Sequence, residues 1–279
     1  MKFVVWTADI SSNGSRKVVV KLIRGVAAVS LMGLAACAQV PSNPESRAAY
    51  DRANDPGEPT NRVIFAGNQW FDRNALQPVA RAYQDHTPDR VQKSIHNATS
   101  NLKTPAVLVN DVLQGNFDRA WTTTRRFAVN STLGGAGLFD VATDWQLPAH
   151  DADFGQTFGV WGVGPGPSIQ LPLLGPSNTR DAAGTAVGFL ADPLNFVPGG
   201  AIQTIQQAAT GVGAVDKRAA LLSTTDNLEK SSLDYYVALR SAYDQHRAAA
   251  VEEGKAGEPL GQVNIGPVMP LPNGPSDTP

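Results

Sequence analysis

The stretch Phe154 to Ser177, FGQTFGVWGVGPGPSIQLPLLGPS, decides how this chain is read. It lies inside Phe127 to Thr179, 53 residues with no Lys, no Arg and only four acids: Asp140, Asp144, Asp151 and Asp153. Nine glycines and five prolines interrupt those residues, which excludes one continuous spanning helix. A soluble domain rarely places so much uncharged, glycine-broken apolar sequence in one block, so part of it is expected to face something other than water. Gly162, Gly164 and Gly166 alternate through Trp161 to Pro167, a pattern that permits positive φ and hinge-like bending. Two readings fit it: a tight hairpin or irregular turn, or a mobile loop at a membrane passage.

The low charge extends outward. Across Phe127 to Val215 only seven of 89 residues are charged, the other three being Arg180, Asp181 and Asp192, against 17% for the whole chain. At the other end, Arg16, Lys17, Lys21 and Arg24 form a basic region before the apolar Gly25 to Ala35, which together read as a secretory signal. That segment ends at Leu34-Ala35-Ala36-Cys37, which resembles a bacterial lipobox, and Cys37 is the only cysteine in the chain. The expectation is therefore a signal peptide over 1–36, lipidation at Cys37 and a polar tether over 37–54, with the true start codon near Val18 to Val20. Ala38 after the lipidated cysteine favours the outer membrane. With one cysteine no intramolecular disulfide can form, and the mildly acidic balance is a poor match for nucleic acid.

The spacing predicts a mainly helical domain over 55–254. Asp55 to Arg62 reads as a turn feeding a helix start. Helices are expected over Pro78 to His86, Pro88 to Leu102, Pro105 to Gln114 (ending at Gly115) and Asp118 to Thr132, then a short one over Gly137 to Gln146. Gly188 to Phe196 and Ala201 to Val212 read as short apolar helices. Asp216 to Glu253 reads as two amphipathic helices broken near Ser231-Ser232. The Pro- and Gly-rich 255–279 reads as a disordered tail. Signatures of nucleophilic, zinc-protease and nucleotide chemistry are missing. His150, Asp151 and Asp153 form the one cluster that could hold a metal, yet three or four ligands are needed, and neither metal nor cofactor is expected.

The order of residues resembles the MlaA (VacJ) family of Gram-negative outer-membrane lipoproteins. The likeness begins at Asp55-Pro56 and Asn61-Arg62, continues through Asn101-Leu102, Pro105, Asn110 and Leu113-Gln114-Gly115, and is densest at Arg126-Phe127, Asn130-Ser131-Thr132, Asp140-Val141-Ala142, Asp153 to Thr157, Trp161 to Gly164, Gly166-Pro167 and Arg180-Asp181. It covers roughly Asp55 to Gly254. Ala66-Gly67, Ala98-Thr99 and Ser168 depart from the family pattern. The resemblance implies a ring- or disc-shaped helical domain embedded in the membrane, with a glycine-rich hairpin loop and a central channel for phospholipid. It also implies trimeric porins and a periplasmic lipid-carrier protein as partners, and no catalytic residues. The function implied is removal of phospholipid from the outer leaflet. The alternative is a structural porin-associated lipoprotein without lipid passage, and a hydrolase would need a nucleophile and base that are not visible. Asn130, Thr132, Gln156, Thr157, Arg126 and Arg180 are candidate channel residues, the arginines as phosphate contacts or as structural partners of Asp140 and Asp181. Gly162, Gly164 and Gly166 are candidate loop hinges.

Overall fold

The computed structural model describes residues 54–198 and 200–257. The signal peptide, Cys37, nearly all of the tether and all but the first residues of the tail lie outside them. Helix α1 (Glu58–Phe71) begins with a proline in its first turn and an acid, Glu58, against its positive end. It runs through one π-helical turn (Asp72–Leu76) into α2 (Gln77–His86). Pro88 then forces Thr87 into extended backbone, and α3 (Asp89–Leu113) follows. Gly115, at φ 75°, closes α3: its N–H reaches the Val112 carbonyl (3.0 Å) and that of Asn116 reaches Asp111 (2.9 Å). After α4 (Phe117–Thr132) come the short α5 (Val141–Asp144) and α6 (Phe154–Val160). A two-stranded antiparallel hairpin, β1 (Ser168–Leu171) and β2 (Gly175–Asn178), pairs Ile169 with Ser177. Helix α7 (Thr179–Ala191), a 3-10 turn (Pro193–Phe196), α8 (Ala201–Ser231) and α9 (Tyr235–Ala256) complete the fold. Helix α3 packs on α4, α6 on α7 and α9, and α8 on α2 and α3.

The fold class is mainly helical, as read, but several boundaries differ. The two helices expected on either side of Leu102–Pro105 are one, because Pro105 forfeits a single backbone bond and the packing of α3 on α4 and α8 outweighs that loss. Ala201 to Ser231 is likewise one helix of 31 residues despite Gly211 and Gly213. The helix expected over Gly137 to Gln146 shrinks to four residues, since Ala136, Gly137 and Gln146 all take positive φ. That expected at Gly188 begins nine residues earlier, where Asn178 caps the Asp181 N–H. Strands form at 168–178, just after the alternating glycines rather than through them.

The interior is polar. Among the described residues the hydrophobic cluster of buried residues, Ala80, Ala219 and Leu222, is small. The largest fully buried side chains are Gln156, Asn110, Thr157, Asp55 and Asp111. Outside, the four tryptophans of the described residues, Trp70, Trp121, Trp145 and Trp161, are 54–68% exposed, and Phe117, Phe189, Leu190 and Phe196 are at least as open. This inverts the usual arrangement of a soluble domain. No helix of the described residues is long and apolar enough to cross a membrane.

Asp55 shows how the polar interior is tied. Its carboxylate accepts from Asn61 Nδ2 (2.7 Å), Arg240 Nη1 (2.7 Å) and the Tyr236 hydroxyl. Asn61 in turn donates to the Ser168 carbonyl (3.1 Å) and accepts from the Gln170 N–H (2.9 Å), so it reads β1 as a neighbouring strand would. Removing one member of such a set leaves buried polar groups without partners. Asp55→Ala is expected to destabilise the fold by about 3–5 kcal/mol, measured by denaturant unfolding, whereas Arg73→Ala, which breaks an exposed pair with Glu229, should cost under about 1 kcal/mol.

Candidate functional site

The capped N-termini of two helices and the side of a third meet beside the glycine-rich loop. Asp153 caps α6 by accepting the Gln156 N–H (2.8 Å), and Asn178 caps α7 by accepting that of Asp181 (2.9 Å). Arg247 of α9 joins the two: its Nη1 donates to Asp153 Oδ2 (2.7 Å) and its Nε to Asp181 Oδ2 (2.9 Å). Asp181 also accepts from Arg180 Nε (2.9 Å), Tyr243 (2.8 Å) and Asn178 Nδ2 (2.7 Å). Helices α6 and α7 cross so closely that a Cβ on Gly184 would fall 2.2 Å from the Gly155 nitrogen. Only glycine fits there.

Desolvation alone would raise the Asp181 carboxyl and, though its side chain is 57% exposed, that of Asp153. The hydrogen bonds and charge of Arg247, with the Gln156 N–H at Asp153 and Tyr243 and Arg180 at Asp181, more than reverse this, so both titrate below the usual carboxylate range.

Beside this junction is a cavity of about 480 Å³. The loop Gly162 to Gly166 forms one wall, Gly159 and Arg180 the floor, and one face of α9 the other side. Gly162 and Gly166 take φ of 91° and 68°, whereas Gly164 does not use the left-handed region. The loop is held at its far end, where the Thr179 and Arg180 N–H groups donate to Pro167 and Pro165 (both 3.1 Å). A second cavity, of about 490 Å³, lies between α3, α4 and α8 and is lined by Lys103, Thr123, Arg126, Asn130, His150 and Lys217 among others.

The expected site residues separate into groups. Arg180, Gly162, Gly164 and Gly166 meet at the first cavity. Arg126 and Asn130 line the second, and both are engaged: Arg126 Nη2 donates to both Asp140 oxygens (2.9 and 3.0 Å), while Asn130 donates to Asp140 (2.9 Å) and accepts the Ala142 N–H (2.9 Å). Gln156 and Thr157 are packed between helices, Gln156 donating to the Ala250 carbonyl (2.5 Å) and Thr157 to Asn110 Oδ1 (2.7 Å). Thr132 sits apart on α4, its hydroxyl donating to the Ala128 carbonyl (2.7 Å). Cys37 lies outside the described residues. His150 turns to Asp111 (2.8 Å) and Asp153 to Arg247, so the cluster considered for a metal does not assemble. Arg247 and Tyr243 entered only through the weaker, C-terminal part of the family resemblance and Asp244 not at all, because their place at the site depends on α9 returning to Asp181, 66 residues back from Arg247.

The sign of the pH effect follows from the depressed carboxyls. A group whose folded pKa lies below its unfolded value stabilises the fold above the unfolded value and loses that contribution as pH falls. The melting temperature should therefore drop as pH is lowered from about 5 through about 3. Arg247→Met should lower it at pH 7 and flatten that dependence. Gly184→Ala should cost roughly 2 kcal/mol or more at every pH, since the methyl meets backbone.

The profile of the family described as MlaA lipoprotein matches residues 53–250. An uncharacterized protein of Rickettsia felis is 38% identical over 202 residues, covering 71% of this chain and 78% of the relative. The intermembrane phospholipid transport system lipoprotein MlaA of Escherichia coli K12 is 34% identical over 196 residues, 69% of this chain and 76% of that one. A chain solved for the structural basis of bacterial outer membrane lipid asymmetry superposes with a TM-score of 0.61 at 34% identity, covering 71% of this chain and 98% of its own.

Proposed function

This chain belongs to the MlaA lipoprotein family, and we propose that it is a lipid-anchored outer-membrane protein that takes phospholipid from the outer leaflet and passes it to a periplasmic carrier. The observation that carries this reading is the inverted surface: a polar interior with cavities and an exterior studded with exposed Trp, Phe and Leu. In water such a surface is a liability of the order of 25 cal/mol for each Å² of apolar area, and in a bilayer leaflet it is not. Backbone as irregular as Trp161 to Pro167 is tolerated at membrane depth where it borders a cavity. Moving a phospholipid needs a wet path for the headgroup beside apolar surface for the tails, and the two cavities set polar and charged side chains among apolar lining. The passage is non-catalytic: binding and release suffice, with the glycine loop as hinge. Anchorage through Cys37 and association with trimeric porins complete the proposal.

Loss of the gene should give a measurable surplus of outer-leaflet phospholipid. A photo-crosslinker at Gly162 or Asn130 should capture phospholipid. Porin adducts without lipid at both positions would instead indicate a protein that only braces porins.

A further inference from the structure

The first cavity is lined by an acid without a partner and by a paired arginine with one nitrogen unused, and this matters if, as proposed, a phospholipid enters it. One face of α9 lines it through Asp244, Arg247, Ala248, Val251, Glu252 and Lys255, spaced three and four residues apart. Most of the charge there is satisfied within the protein. Arg247 is taken by Asp153 and Asp181, and Lys255 donates to Glu252 (2.8 Å). Asp244 is different: it is partly buried and makes neither a hydrogen bond nor an ion pair with any described residue. Burial pushes its carboxyl above the usual range, with Arg240 opposing and Asp181 and Asp55 adding to the shift. Arg180 is the complementary case. Its side chain is 5% exposed, and its Nε and Nη2 are held by Asp181 (2.9 and 2.8 Å), while Nη1 has no partner among the described residues. That nitrogen lies 2.9 Å from where a Cβ on Gly159 would sit, and Val251 is at 2.5 Å from the same point. Gly159 therefore leaves room for it at the cavity floor.

Asp244 and Val251 are seven residues apart on α9, which is roughly 10 Å of helix. The cavity thus offers an anionic acceptor and a cationic donor at different turns of the same helix face. An aminoethyl phosphate carries the complementary cation and anion on one short chain. We propose that this cavity reads the phospholipid headgroup: Asp244 accepts a primary ammonium, Arg180 donates to the adjoining phosphodiester, and an aminoethyl-phosphate headgroup is selected over an uncharged polyol one. Both headgroups satisfy Arg180, and only the ammonium satisfies Asp244.

The test uses the full lipidated chain in mild detergent, exchanged against vesicles with equal amounts of phosphatidylethanolamine and phosphatidylglycerol. Bound lipid is then extracted and quantified by mass spectrometry. Wild type should hold the ethanolamine lipid in excess, on the order of tenfold. Asp244→Asn should bring the ratio close to one through loss of the ethanolamine lipid, and Glu252→Gln, whose carboxylate is already held by Lys255, should leave the ratio as in wild type. A wild-type ratio near one, an Asp244→Asn ratio equal to wild type, or an equal fall in Glu252→Gln overturns the headgroup assignment and leaves the phospholipid reading standing. A wild-type protein that takes up neither lipid overturns both.

Discussion

The structure depends on neutralising charge that points inward. Asp55, Asp111 and Asp181 are almost wholly enclosed, and each is met by an arginine or histidine brought from elsewhere in the chain: Arg240, His150, Arg247. An unpaired carboxylate in such surroundings is prohibitively costly, so the helices can dock only where the partners coincide. Apolar packing, which in most domains does the sorting, is thin here: the cluster of buried apolar side chains among the described residues is a small patch between α2 and α8. The ionic sets act as a key for that docking, because a guanidinium that must satisfy two carboxylates at once tolerates little displacement. Arg247 between Asp153 and Asp181 illustrates this, and Arg126 against Asp140 and the Leu147 carbonyl repeats it at smaller scale.

An interior of this kind releases the surface from its usual composition. The helices need not turn their large residues inward, and Trp121 on α4 or Phe189 and Leu190 on α7 face away from the protein. Under the proposed function the same arrangement accounts for the nearly uncharged run from Phe127 to Val215, since an outward face set in a leaflet would gain nothing from lysine or glutamate. Under the proposed function, the polar inside and the apolar outside are one requirement: the headgroup travels through the first and the leaflet contacts the second.

Local signals made about as much of this legible as they can carry. Pro78 and Pro88 marked helix starts, Gly115 marked a stop, and Ser231-Ser232 marked the break before α9. Pro105 misled, because a local rule was outweighed by packing along the whole of α3. Helix α6 was hidden because FGQTFGV has too few residues for a helical period to show, and its stability comes from Asp153 at one end and the contact with Gly184 along its side. Of the site, the glycine loop and Arg180 stood out by composition and by family resemblance. Asp244 did not, since an acid on an amphipathic helix is ordinary until the opposite wall of the cavity is known.

Helix α9 has a consequence for when the molecule can exist at all. Arg240 and Tyr236 reach Asp55 across 185 and 181 residues, and Arg247 reaches Asp153 across 94. Each of these contacts closes a long loop, so Asp55 and Asp153 meet their arginines only once α9 has docked. Closure is therefore a long-range and slow event, and the aromatic rings of the earlier helices are bare while it is pending.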